Sequence, residues 1–92
     1  MTERYELGTT TSVRRALVER LPADVAAAAI EFLTGPLLDS PRRIGKALSQ
    51  ELAGVYSARL ARDWRILYEF EEAKRVVVVL DIRHRSIAYR SR

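Results

Sequence analysis

Apolar residues recur with two different periods along this chain. From residue 13 to residue 33 the spacing is helical: Val13, Ala16, Leu17 and Leu21, then Val25, Ala26, Ala29, Ile30 and Leu33. Thr9, Thr10, Thr11 and Ser12 offer N-caps ahead of the first stripe, and Pro22 suits the first turn of a second helix. So short a joint predicts an antiparallel helix pair, with the small residues 26–29 allowing close approach. Residues 3–8 precede the pair as a first strand with Tyr5 and Leu7 on one face. Gly35 and Pro36 should end or kink the second helix, and Leu37 and Leu38 argue for a further helical turn. Residues 39–53 contain Asp39, Ser40, Pro41 and Gly45 and read mainly as connection.

From Gly54 onward the period becomes two. Strand two is expected over residues 55–60, strand three over 64–70 and strand four over 76–83, with residues 86–90 as a short edge segment. Short turns favour antiparallel pairing. The fold class predicted is therefore α+β, two antiparallel N-terminal helices packed on a small, mainly antiparallel, twisted β-sheet. Residues 1–92 form a single domain, without repeats or low-complexity tracts.

Alternation assigns faces. Tyr56, Ala58 and Leu60 share one side of strand two, opposite Ser57 and Arg59. Trp64, Ile66, Tyr68 and Phe70 form the large apolar side of strand three, opposite Arg65, Leu67 and Glu69. Val76, Val78, Leu80 and Ile82 are expected to match that apolar side, with Val77, Val79, Asp81 and Arg83 opposite. Helices covering the aromatic side would leave Arg59, Arg65 and Arg83 together on the other, and a bulge would shift this assignment by one residue. Arg85, Tyr89 and Arg90 lie just beyond strand four and rim the same surface. Arginines fork onto phosphates and aromatics stack on bases, so a patch mixing both suits RNA. The plainer explanation is that exposed strand positions are usually polar.

Charge sharpens this picture. Lys plus Arg number 16 and Asp plus Glu 12, a formal net charge of +4. The surplus lies after residue 55. Residues 83–92 carry Arg83, Arg85, Arg90 and Arg92 and no carboxylate. A polyanion or an acidic protein is the implied partner. Arg42, Arg43 and Lys46 make the connection basic as well, and Arg43 and Lys46 join the candidate RNA contacts.

Other chemistry is sparse. There is no cysteine, which removes disulfides, thiolate metal sites and cysteine nucleophiles. No histidine-rich or carboxylate cluster suggests a metal. No GxGxxG or Walker sequence occurs, and no cofactor is expected. Asp81, amid arginines, is expected to orient them rather than hold magnesium. His84 is the single histidine, a candidate for proton exchange near neutrality or, equally, a structural or partner-contact residue. Residues 1–5 are polar rather than signal-like, and no apolar run approaches the roughly 20 residues that span a bilayer. Cytoplasmic residence without membrane contact is the expectation.

The run Gly54-Val55-Tyr56-Ser57-Ala58-Arg59-Leu60, followed by Asp63-Trp64-Arg65-Ile66-Leu67-Tyr68, resembles the RelE/ParE toxin superfamily. The apolar run from Val76 to Leu80 and the ending Arg83-His84-Arg85-Ser86-Ile87-Ala88-Tyr89 fit the same pattern. Glu31-Phe32-Leu33, Gly35-Pro36-Leu37 and the stretch from Pro41 to Lys46 look like the actinobacterial RelE-type branch. The resemblance implies a toxin of a type II toxin–antitoxin pair, a metal-independent endoribonuclease that acts with the 70S ribosome on A-site mRNA. It also implies a RelB-like antitoxin, with operator DNA bound only by the toxin–antitoxin complex.

By the same pattern Arg65 and Arg83 correspond to residues that stabilise the scissile phosphate. Tyr89 corresponds to a tyrosine that orients the nucleotide, and Arg85 to a residue supporting RNA binding. The pattern has two lysines on strand two where this chain has Ser57 and Arg59. Arginine is a poor proton donor or acceptor near neutrality, which leaves His84 as the candidate replacement. The superfamily also includes ParE-type inhibitors of DNA gyrase, and an inactive homologue that merely binds a partner is a third possibility.

Overall fold

The computed structural model describes residues 4–88. Strand β1 (Glu6–Thr9) ends at Thr10, whose hydroxyl oxygen accepts the Val13 N–H at 3.2 Å and so caps α1 (Thr11–Arg15). Helix α1 runs on into one π-type turn, Ala16–Arg20, with the Leu21 N–H donating to the Ala16 carbonyl at 2.9 Å. Pro22 then precedes α2 (Ala23–Leu33), where its missing N–H breaks no helical bond. Val13, Ala16, Val25, Ala29 and Leu33 are buried along the two helices. Ile30, expected in the stripe, is instead 52% exposed. Among the described residues, no helix is long and apolar enough to cross a membrane.

The stretch expected to be connection is more ordered than that. Two single-turn helices, α3 (Pro36–Asp39) and α4 (Pro41–Ile44), each open on a proline. Leu37, Leu38 and Pro41 are buried and anchor them. A two-residue strand β2 (Lys46–Ala47) and a 3₁₀ turn (Gln50–Leu52) follow. Elements of two to four residues are too short to carry a readable period.

Expected strands two, three and four are β3 (Tyr56–Leu60), β4 (Trp64–Glu71) and β5 (Val76–His84). The sheet order is β1-β5-β4-β3-β2, with β1 parallel to β5 and every other pairing antiparallel. The last strand in sequence thus lies inside the sheet. Residues 86–90 do not extend it at the edge: α5 spans Arg85–Ala88, and residues 89–90 lie outside the described part.

One expectation for β5 is overturned. Tyr68 pairs with Val79 but Leu67 with Asp81, so Leu80 is an extra residue, a β-bulge. Before the bulge the odd positions face the helices, and Val77 and Val79 are fully buried. After it the even positions do, and Ile82 is buried. Val76, Val78 and Leu80 therefore belong to the opposite face from the one alternation assigns. The Thr10 hydroxyl fixes the bulge by donating to the Leu80 carbonyl at 3.2 Å. One side chain thus caps α1 and holds the irregular strand.

The core lies between the helices and this face. It contains Leu60, Ile66, Tyr68, Val77, Val79 and Ile82 from the sheet, and Val13, Ala29, Leu33 and Leu37 from the helices. Full burial of each such aliphatic is worth about 1.5–3 kcal/mol. Tyr68 is the largest fully buried side chain, and its hydroxyl donates to the Pro41 carbonyl at 2.7 Å. This bond ties α4 to the middle of β4. Gly45 is required beside it, because a Cβ there would collide with the Tyr68 hydroxyl and sit 3.0 Å from the Ser57 carbonyl.

Burial pushes the Tyr68 phenol well above its ordinary value near 10. A raised folded-state value leaves stability untouched below about pH 10 and erodes it above, where the unfolded chain alone releases the proton. Tyr68→Phe should lower unfolding free energy by about 1–3 kcal/mol at pH 8, through the orphaned Pro41 carbonyl. It should also flatten the loss of stability above pH 10. Denaturant titrations at pH 8 and pH 11 check both effects.

Candidate functional site

The bulge lets β5 bury Val77 and Val79 and yet turn Arg83 away from the core. On that outer face Arg59 of β3 opposes Arg65 of β4, and Arg65 opposes Arg83 of β5, all directly in register. Neighbouring strands are about 4.8 Å apart, so the three side chains leave the sheet as one transverse row. Like charges placed directly opposite are destabilising. The row therefore does not serve the fold's own stability, and it is suited to an anion that brings compensating charge.

A second row lies two residues along, where Lys46, Ser57, Leu67 and Asp81 are in register across β2 to β5. Ser57 and Leu67 are buried and form its floor, while Lys46 is exposed at one end. At the other end Asp81 holds Arg83, with Nε donating to Oδ2 at 2.5 Å. The remaining Asp81 oxygen accepts the Ile82 N–H at 2.8 Å. The expected orienting role of Asp81 is what its contacts describe. Arg65 donates from Nη1 to the Trp64 carbonyl at 2.9 Å. Among the described residues, Arg59, Arg65, Arg43 and Lys46 form no ion pair. Their charge is thus available to a ligand.

A groove of about 370 Å³ opens beside the row, lined by Ile44, Gly45, Lys46, Ser57, Arg59 and Arg65. Lys46 thus joins the arginines through β2, an element the sequence does not reveal. Arg43 sits in α4 and does not line the groove. Arg42 is drawn elsewhere, paired with Glu72 at 2.9 Å and lying over Phe70. Glu72 raises the Arg42 pKa above its ordinary value.

The other expected residues are placed differently. Arg85 opens α5, and its Nε lies 3.5 Å from Asp63 in the β3–β4 turn. Tyr89 and Arg90 lie outside the described residues. His84 opposes Trp64 in register on the helix side of the sheet, with ring centroids 5.3 Å apart. It is therefore not brought onto the face of Arg65 and Arg83. Its Nδ1 accepts the Ser86 N–H at 3.2 Å and lies 3.0 Å from the Ser86 hydroxyl. That contact caps α5 as an N-cap side chain does. In the neutral ring the proton accordingly sits on Nε2. Among the described residues, no group of three or more His, Cys, Asp or Glu could hold a metal ion. The arginine row, with Lys46 at the end of the neighbouring row, supplies fixed positive charge and guanidinium donors, an arrangement suited to phosphate oxygens.

The fold has known counterparts. The family described as "ParE toxin of type II toxin-antitoxin system, parDE" matches residues 10–89. Toxin RelE of Mycobacterium tuberculosis is 41% identical over 86 residues, covering 94% of this chain and 87% of the relative. Toxin RelG of the same organism is 42% identical over 86 residues, covering 94% and 97%. The crystal structure of the toxin–antitoxin complex RelBE2 from M. tuberculosis contains a chain that superposes with a TM-score of 0.82 at 41% identity, covering 90% of this chain and all of that one. The chain belongs to the RelE/ParE superfamily of type II toxin–antitoxin toxins. Within it, the likeness to mycobacterial RelE-type toxins extends over nearly its whole length.

The His84 cap gives a direct expectation. His84→Asn, which restores a side-chain acceptor, should keep the Ser86 amide protected from hydrogen exchange. His84→Ala should lose that protection at a cost of about 0.5–2 kcal/mol to the helix start. Exchange measured by NMR distinguishes the two variants.

Proposed function

We propose that this chain is a ribosome-dependent, metal-independent endoribonuclease that cuts mRNA in the A site and so inhibits translation. The in-register row of Arg59, Arg65 and Arg83 carries this reading. In the reaction the ribose 2′-oxygen bonds to the adjacent phosphorus as the bond to O5′ breaks. The products are a 2′,3′-cyclic phosphate and a 5′-hydroxyl. Arg65 and Arg83 neutralise the charge that grows on the non-bridging oxygens, and Asp81 keeps the Arg83 fork aimed. Arg59 and Lys46 bind the neighbouring backbone, with Arg43, Arg85 and Arg90 as outlying RNA contacts. Tyr89 orients the nucleotide. Proton transfer falls to Tyr89, because His84 lies on the helix side of the sheet and caps α5.

The partner in this reading is a RelB-like antitoxin, supported by the RelBE2 complex to which the chain is similar. An acidic segment of it would cover the arginine row. Operator DNA would be bound by the pair rather than by the toxin alone. A gyrase-inhibiting function is the second reading. It is favoured by the match to the family described as ParE and by a row of guanidinium groups, which supply charge but no general base.

Mapping 5′ ends on a defined mRNA in a translating extract separates the two. Cuts confined to ribosome-engaged message are expected, with Arg65→Ala and Arg83→Ala each slowing cleavage by about 10²–10³-fold while the folded state persists. Intact message together with inhibited gyrase supercoiling would favour the second reading.

A further inference from the structure

A second concavity adjoins the arginine row and shares Arg83 with it. Strand β1 pairs with β5 only as far as Thr9 opposite Val79. Beyond that point, among the described residues, no strand pairs with this edge of β5, and Ala16 and Arg20 of the π-type turn line the space beside it. The result is a cleft of about 250 Å³ lined by Ala16, Arg20 and Leu21 of the helical segment and by Trp64, Asp81, Ile82, Arg83 and His84 of the sheet. Arg83 thus belongs to both features. The row runs transversely from Arg59 through Arg65 to Arg83, and its continuation leads over the β5 edge into this cleft.

The lining is chemically mixed in an informative way. Arg20 is exposed, with Nη2 3.5 Å from the Ser12 carbonyl and no carboxylate partner among the described residues. Trp64 and His84 meet edge to face, at an interplanar angle of 84°, so their planes cannot both be covered by the same contact. Leu21 and Ala16 supply an apolar wall. A guanidinium beside an aromatic and an apolar wall is the set of groups that holds one nucleotide, by phosphate fork and base stacking. The volume suits a single base rather than a longer segment.

We propose that this cleft is a nucleotide subsite. Arg20 takes a phosphate and Trp64 takes the base of the nucleotide that follows the one lying on the arginine row. This rests on the reading of that row as an RNA site. It adds a contact that selects which message positions are cut, made by Arg20 and Trp64 rather than by the arginines at the scissile phosphate.

Trp64 is the single tryptophan and His84 the single histidine of the chain, so both report on the cleft without labelling. The full-length protein is titrated with AMP, GMP, CMP and UMP while tryptophan fluorescence and the histidine ring proton resonances are followed. A saturable response at both residues is expected with at least one monophosphate. Arg20→Gln should weaken it at least fivefold. Arg15→Gln removes the same charge from an exposed position outside the cleft and should leave it within twofold. In the translating extract, Arg20→Gln should also redistribute the cut positions.

Absence of any Trp64 response up to millimolar nucleotide overturns the subsite, as does a response indifferent to Arg20→Gln. If mRNA is cut at unchanged positions by Arg20→Gln, the subsite fails while the endonuclease reading stands. If no message is cut but the monophosphate response depends on Arg20, the cleft binds nucleotides and the endonuclease reading fails.

Discussion

The extra residue at Leu80 is the constraint on which the site depends. An unbroken β5 has a single parity. Burying Val77 and Val79 would then also drive Asp81 and Arg83 into the core, where an ion pair costs several kcal/mol of desolvation. The bulge permits both demands within nine residues. Thr10 makes it inexpensive by accepting from the Val13 amide and donating to the Leu80 carbonyl. The start of the first helix and the position of Arg83 are therefore fixed by the same hydroxyl.

The rest of the molecule separates stability from function. The helix side of the sheet holds the aliphatic core and the satisfied Tyr68 hydroxyl, with no buried side-chain polar atom left unpaired among the described residues. The outer side holds opposed arginines that repel one another. Such a face is tolerable because its charges remain in contact with water. The arginine row is preorganised by the sheet itself, since cross-strand register needs no loop to close over a ligand.

Much of this was legible in the sequence. The three long strands, the two N-terminal helices and the emergence of Arg59, Arg65 and Arg83 on one side all followed from periodicity. The face of β5 did not, because the bulge is a one-residue event at Leu80, just after a run of four valines any of which could be buried. Arg83 came out on the outer side as expected, though by way of the bulge rather than by unbroken alternation. Helices α3 and α4 and strand β2 were unreadable for their shortness, and with them the groove beside Lys46. The capping contact of His84 was hidden for another reason. It depends on α5 beginning at Arg85, where the alternation suggested that extended chain continues.

Strand order has a consequence for synthesis. β5 lies between β1 and β4, so the sheet cannot close until its final strand is available. A nascent chain that has emerged only through β4 exposes the edges of β1 and β4 and lacks Arg83 altogether. Folding must wait for contacts between the two ends of the chain, a slow class of event. A growing copy of this protein therefore has no finished cationic row until β5 has been made.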